Sequence, residues 1–444
     1  MDMLATHTPA GEWITNDRQI LDSFGRLYNN PEISDVTLHV EDTTYYAHKV
    51  FLANASDVFK VMLTSRDWQD SSKPDIYLDE PYATATVFGE FLRYIYTGQI
   101  YINTDVAVSL LMLADKYNMV DLKKACQSFM ERNFVTIAAE NHVLSWYQYS
   151  KRCGHKDLER ICYMFIQNNM DIILESPDWH SMEKETLLMI LRSSDIILTD
   201  EHKLYLGVED WLTQPINEND LQQNLKDTLQ HVRFPMMTPK QLISIEKREF
   251  VKENWQHYQE CMLNAYRFNS VPQCLRQNEN FDEVEIYTHR NYTHAEYNIC
   301  ATIKITQYSQ RKPFEYSCSF DAAKTGSYAD NCHKYKWELQ FWPRGLQKPA
   351  LTEFGNAYMI QTDEVTLAIT PQGRNENAFK IVAAVIGYED GLQYVKHVHR
   401  ITHDFGTKMM FRIKHLIKLG DLMSDSSKYL NADCLQVYVI IRQV

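Results

Sequence analysis

At 444 residues, 45% of them hydrophobic, the chain is too long for one ordinary domain and apolar enough for packed cores. A formal net charge of −13 argues against a protein built to neutralise phosphates, so no nucleic-acid partner is expected. The nine scattered cysteines include no Cys-x-x-Cys pair, which removes the spacing of a structural zinc site and fits a reducing compartment. The stretch MDMLATHTPAGEWITNDRQ lacks the apolar core of a signal peptide, and no run approaches the ~18 apolar residues of a membrane span. A soluble chain without membrane insertion is therefore expected.

Residues 1–16 read as a flexible N-terminus. In 17–30, Ile20, Leu21, Phe24 and Leu27 share one helical stripe. SDVTLHVEDTTYYAH alternates like a hairpin with Val36, Leu38 and Val40 inward. KVFLANASDVFKVML sets Phe51, Ala55, Val58, Phe59 and Met62 at helical spacing, DIYLDE is a short strand, and TVFGEFLRYIYTG is a helix ending at Gly98. Two further helices follow, completing a compact α+β domain over 17–130.

From 131 to 250 the pattern is helical, with stripes such as Leu158, Cys162, Phe165 and Ile166, and Leu221, Leu225, Leu229 and Val232. Pro235 breaks the chain, and Thr238-Pro239 offers an N-cap and first turn for a last helix. Residues 251–275 read as a linker. Beyond it, β-branched and aromatic runs such as YNICATIKIT, YKWELQFWP, EVTLAIT, AFKIVAAVIGY, YVKHVHRIT and CLQVYVIIR predict a β-sandwich over 276–444.

The acid-rich stretch SSDIILTDEHKLYLGVEDWL (193–212) raises the question of an active site. Leu204, Val208, Trp211 and Leu212 form a buried helical stripe, Thr199 or Asp200 is the expected N-cap, and Asp200 and Glu201 suit the positive end of the helix dipole. Glu209 and Asp210 read as solvated positions, and His202 has no second ligand one turn on. His397 and His399 share a strand face and with His403 could hold a metal, although solvent-facing histidines are commoner. No nucleophile elbow or phosphate loop occurs, and Cys332-His333 has no visible catalytic partner. Neither a cofactor, a metal nor an enzymatic activity is expected.

The motifs SDVTLHV, AHKVFLANASDVFKVML, FLRYIYTGQI and LLMLADKYNMVDLKKACQSFM, in that order, resemble a BTB/POZ domain. Ser193, Ile196, Leu198, Thr199, Glu201, Leu204, Val208 and Trp211, with VRFPMMTPKQL, resemble the BACK domain. KWELQFWPRG and the ending through KYLNADCLQVYVIIR resemble a MATH/TRAF-like domain. The fold class is thus multidomain: an α+β BTB domain, an all-α BACK domain and an all-β TRAF-like sandwich.

The resemblance implies a two-fold homodimer through the helix carrying Ile20, Leu21, Phe24 and Leu27, with Asp35 and Lys49 as the family's buried charged pair. It also implies a contact with cullin-3. Trp68, Gln69 and Asp70 stand at the family's apolar-x-Glu motif, with Asp in place of Glu, and Tyr117, Met119, Trp146 and Tyr147 would extend the surface. Phe405, Gly406 and Thr407 fall at the groove for an extended client peptide, Phe405 reading equally as core. A cytoplasmic adaptor of a ubiquitin ligase is expected. The alternative is a dimeric scaffold of the secretory pathway, as some insect proteins of this domain order are grouped with Golgi organisation. Glycosylation at the Asn291-Tyr292-Thr293 sequon would favour that alternative.

Overall fold

In the computed structural model the described residues are 16–65, 74–135, 140–271, 285–294, 299–311, 316–323, 334–351, 357–372, 378–389, 391–406, 410–424 and 427–443. They divide into two units, residues 1–133 and 134–444.

In the first unit α1 (Asp17–Gly25) precedes the hairpin β1 (Val36–Val40) and β2 (Thr43–Ala47). Val36, Leu38 and Val40 are buried, as the alternation requires. β3 (Asp75–Leu78) pairs parallel with β1, giving the order β2-β1-β3. The single helix expected over residues 49–63 is two: α2 (Lys49–Ala55) and α3 (Asp57–Thr64). Ser56 is extended between them and its hydroxyl accepts from the Phe59 N–H, capping α3. That break resets the helical phase, so Leu52, Phe59, Met62 and Leu63 are buried while Val58 and Val61 face outward.

Helices α4 (Tyr82–Ala85), α5 (Phe88–Thr97), α6 (Thr104–Lys116) and α7 (Val120–Arg132) complete the unit. Gly98 ends α5 in the left-handed region at φ 66°, where a Cβ would be strained. Asn103 caps α6 by accepting from the Val106 N–H.

The second unit begins with α8 (Val143–Cys153), α9 (Lys156–Asn168), α10 (Met170–Ile173) and α11 (Lys184–Arg192). A two-residue strand, β4 (Ile197–Leu198), leads to α12 (Glu201–Leu212), then α13 (Leu221–Leu229) and α14 (Pro239–Glu246). Gly207 inside α12 is a packing requirement: its carbonyl accepts from the Trp179 indole at 2.7 Å, and an added Cβ would lie 2.4 Å from Leu174. Thr238 and Gln241 form a reciprocal capping box on α14.

The expected linker at 251–275 is largely helix. α15 (Glu249–Glu253) and α16 (Trp255–Ser270) bury Val251, Tyr258, Met262, Ala265 and Phe268, so the helical region extends through Ser270. The polar residues between those positions had masked the stripe. Residues 285–294 return to the helices rather than joining the sandwich. There β5 (Asn291–Tyr292) pairs parallel with β4, and Tyr287 stacks on Phe268 at 5.2 Å.

The sandwich is built from β6 (Cys300–Ile305), β7 (Tyr316–Ala323), β8 (Lys334–Trp342), a β9–β10 hairpin (Gln347–Leu351, Ala357–Gln361), β11 (Glu364–Gln372), β12 (Ala378–Glu389), β13 (Leu392–Asp404), β14 (Phe411–Lys418), β15 (Leu430–Asn431) and β16 (Cys434–Gln443). One sheet has the order β14-β11-β8-β7; in the other β13-β12-β16 continues to both β15 and β6. Trp337, Leu339, Phe341, Leu367 and Ile369 of the first sheet pack on Ile381, Ala383, Val385, Val437 and Val439 of the second. Val382, Ala384 and Ile386 on the opposite face of β12 are buried too. This is why AFKIVAAVIGY reads as an unbroken apolar run rather than an alternation.

Candidate functional site

The first surface is the outer face of α1. Ile20 is 48% exposed, Leu21 52% and Phe24 38%, three large apolar side chains on one helix with Phe24 edge-on to Phe51 at 5.3 Å. Leu27 lies past the end of α1 and is partly buried. The Asp35–Lys49 pair differs from expectation. Within one chain Asp35 is exposed, and its carboxylate accepts the Lys49 backbone N–H at 2.7 Å at the start of α2. That bond caps the start of α2, and β2 and α2 leave the carboxylate open to solvent.

The second surface concerns the expected cullin contact. Trp68, Gln69 and Asp70 lie outside the described residues. Tyr117 is not on a surface: it stacks on Phe59 at 4.2 Å and its hydroxyl donates to Glu80 at 2.6 Å. Burial, reinforced by the bond to Glu80, pushes its pKa far above the ordinary tyrosine value. Met119, Trp146 and Tyr147 are buried as well; the Tyr147 hydroxyl reaches the Met189 sulfur at 3.1 Å. Aromatic residues in helix turns resemble partner anchors in a sequence, but here packing has already used them. What faces outward is Val61 on α3, 54% exposed, with Val58 beside it and Tyr77 on β3, 78% exposed. The residues flanking the undescribed 66–73 segment are thus the open ones. The phase change at Ser56 was the signal that would have revealed them.

In the sandwich, Phe405 is core, packed on Trp337 at 5.1 Å and Phe379 at 6.0 Å. It cannot line a client groove. Gly406 is exposed and its N–H is held by Asp404 at 2.8 Å, while Thr407 lies outside the described residues. The His397 and His399 rings meet at 5.0 Å, but His403 packs on Phe405 and Phe411 instead of completing a set. Among the described residues the three do not form a ligand cluster. Burial, followed by the neighbouring His399, lowers the His397 pKa. Cys332 and His333 lie outside the described residues.

The acidic stretch at 193–212 contains the feature least visible in the sequence. Asp200 does cap α12, accepting the Lys203 N–H at 2.7 Å, and the Leu204, Val208, Trp211 and Leu212 stripe is buried. Glu201, however, is fully buried and ion-paired to Arg290 at 2.9 Å, with the Tyr292 hydroxyl at 2.5 Å and the Arg233 N–H at 2.8 Å. Arg290 is equally buried. It also donates to the carbonyls of Ser193, Leu191 (2.8 Å) and His231 (2.9 Å), capping the end of α11. Burial opposes charge on Glu201, yet the Arg290 and Arg233 cations hold its pKa below the ordinary value. Burial and Arg290 together bring Arg233 down to about 10. Glu209 is likewise buried rather than solvated, bonded by Arg248 at 2.7 Å.

A second junction lies beside it. Asp195 meets Lys380 of β12 and Arg442 of β16, the latter at 3.0 Å, while Arg400 of β13 bonds the Asp195 carbonyl at 3.1 Å and the Asn168 side chain at 2.5 Å. Asn169 brackets the Val395 backbone, accepting its N–H at 2.7 Å and donating to its carbonyl at 3.2 Å. The helices present acids and amides; the outer face of the β13-β12-β16 sheet presents cations. Asn291 is buried in the same seam, its side chain bonded to the Asp195 carbonyl and to Arg442. The sequon is therefore closed to glycosylation in the folded chain.

An α+β domain with a β2-β1-β3 sheet, a helical array and a sandwich docked on it define a BTB–BACK protein with a C-terminal TRAF-like domain. Residues 24–134 match the BTB/POZ domain family, 143–247 the family described as BTB And C-terminal Kelch, and 287–444 the BTBD17 TRAF domain. The chain is similar to BTB/POZ domain-containing protein 17 of Xenopus laevis, 25% identical over 445 residues that cover 94% of this chain and 89% of that protein. It is similar also to the Homo sapiens protein of that name, 24% identical over 454 residues covering 98% and 90%. No helix among the described residues is long and apolar enough to cross a membrane.

Proposed function

We propose that this chain is a non-catalytic, homodimeric adaptor that recruits a client to a cullin-3 ubiquitin ligase from the cytoplasm. The observation that carries the reading is the join itself. A BTB domain is followed by a BACK domain that holds the TRAF-like sandwich through the Asp195–Arg442 ion pair and the Asn169 bonds to the Val395 backbone, so a client-binding module sits on a stiff support. Dimerisation uses the exposed Ile20, Leu21 and Phe24 face of α1, whose apolar area is otherwise left in water. Asp35 and Lys49 become buried only when the partner covers them.

The cullin contact centres on Trp68, Gln69 and Asp70 together with exposed Val58, Val61 and Tyr77. Tyr117, Met119, Trp146 and Tyr147 are buried and take no direct part in it. The alternative of a secretory-pathway scaffold loses the sequence feature that would report it, since Asn291 is buried. Co-purification of the full chain with cullin-3 is the test. Trp68→Ala with Asp70→Ala should abolish capture while the dimer persists by light scattering. No capture by the unaltered chain removes the ligase reading; capture unaffected by the double change removes the assigned surface. Leu21→Asp with Phe24→Asp should give a folded monomer.

A further inference from the structure

A concave pocket of ≈470 Å³ opens among the helices of the second unit, between α13, the turn at Phe234–Met236, α16 and Ile286. Its volume is that of a small-molecule site. The floor is apolar and fixed: Leu225 and Leu229 of α13 are buried with Phe234 and Pro235, and the Phe234 ring is held by Tyr205 at 5.6 Å and Tyr258 at 6.3 Å. Gln222 closes one end. Its Oε1 accepts from the His257 ring at 2.7 Å and from Gln256 at 3.3 Å, and its Nε2 donates to Asn254 at 3.2 Å. Those bonds tie the first turns of α13 and α16 together, and the rest of the two helices lines the opening without closing it.

The mouth carries two opposite charges. Lys226 of α13 and Glu260 of α16 are both exposed there, and among the described residues neither is engaged in an ion pair, with the other or elsewhere. The Asn264 carboxamide, also lining the pocket, makes no side-chain hydrogen bond among the described residues. We propose that this pocket binds a small zwitterion with a large apolar body, of the size of a free aromatic amino acid. The body lies on the Leu225–Phe234 floor, the carboxylate meets Lys226 and Asn264, and the ammonium meets Glu260. Such a site goes beyond the adaptor reading and stands without it.

The two charges select the class. A fatty acid sets its carboxylate against Glu260, and an alkylamine sets its ammonium against Lys226; only a ligand carrying both charges is matched by both groups. Covalent capture is disfavoured, because burial, and then the neighbouring Glu260, pushes the Cys261 thiol up to about 11 and keeps it protonated. The pocket also adjoins the segment that joins helices to sandwich. Ile286 forms part of its wall, Glu285 before it is paired to Arg233, and Tyr287 after it stacks on Phe268. An occupant therefore braces residues 285–294, which continue into Arg290 and β5.

The full chain is titrated calorimetrically with four molecules of similar shape: tryptophan, indole-3-propionate without the ammonium, tryptamine without the carboxylate, and neutral indole-3-propanol. Tryptophan should bind about tenfold more tightly than either singly charged analogue. Lys226→Gln should weaken tryptophan about tenfold and leave tryptamine unchanged, and Glu260→Gln should weaken tryptophan equally and leave indole-3-propionate unchanged. Both side chains are exposed, so the fold should persist by circular dichroism. Asn264→Trp, which fills the mouth, should abolish binding, and tryptophan should slow hydrogen exchange across residues 285–294 of the unaltered chain. Equal affinity for the neutral molecule, or preference for one singly charged analogue, overturns the zwitterion. Binding that survives Asn264→Trp unchanged overturns the pocket, and binding of none of the four overturns the site. Cullin-3 capture reports separately on the adaptor reading.

Discussion

Glu80 in the BTB unit and Glu201 in the second unit are both carboxylates removed from water, and they are satisfied differently. Glu80 is served from within its own domain by the Tyr117 hydroxyl, the Thr84 hydroxyl at 3.0 Å and Lys116 at 2.8 Å, whose ammonium remains partly in solvent. Glu201 is served from far along the chain by a guanidinium with no solvent access, and that guanidinium also closes a helix end. The first arrangement is closed within one domain. The second makes residues 285–294 part of the BACK core and ties the sandwich to it. A buried ion pair of this kind adds little net stability, but it is costly to leave half-made.

The largest effect expected from that contrast is at Arg290. Arg290→Met should destabilise the second unit by about 3–5 kcal/mol, because Glu201 stays buried without its cation. Hydrogen exchange should rise across α11–α13 and β12–β16 and leave α5–α6 unchanged. Adding Glu201→Leu should recover only part of the loss, since the carbonyls of Leu191, Ser193 and His231 remain without their donor. Full recovery would show that the ion pair, and not the helix cap, dominates.

Acid should loosen the ion pairs of the second unit. A folded pKa held below the ordinary 4.5 of Glu201 means its contribution is complete above that pH and is lost as pH falls through the lower folded value. Asp195, depressed by Lys380 and Arg442 against the cost of its burial, adds in the same direction from its ordinary 3.8. Acid titration followed by exchange should therefore open the BACK–sandwich seam below about pH 4, and Glu201→Gln should flatten that dependence. A seam equally protected at pH 3 and pH 7 would contradict the assignment.

Smaller effects belong to the BTB unit. Glu80→Gln should cost about 1–3 kcal/mol, as Lys116 can still turn to water. Tyr117→Phe should cost about 0.5–1.5 kcal/mol, read by thermal unfolding, and leave cullin-3 capture intact. Lost capture with unchanged stability would return Tyr117 to the surface.

Elements were legible where a local pattern repeats. The alternation of Val36, Leu38 and Val40, the Gly98 stop, the Thr238-Pro239 cap and the Leu204–Leu212 stripe all appear where spacing places them, because periodicity reports which face is buried. The site was less legible. Tyr117 at the end of α6, Trp146 and Tyr147 within α8 and Phe405 just past β13 are all aromatic, and composition does not say whether such a ring faces a partner or its own core. The helix at Trp255–Ser270 was hidden because its buried positions alternate with Gln, His, Glu and Asn.

The order of three domains and the capped start of α12 were properties of the sequence alone, since each is written in patterns that repeat over a few turns. The fate of Glu201 was not. Asp200 and Glu201 are adjacent acids at one helix start, yet one caps the helix while the other enters the core. What separates them is a guanidinium 89 positions downstream. Only the tertiary path that pairs β5 with β4 brings it there, and charge compensation over that distance leaves no trace in local spacing.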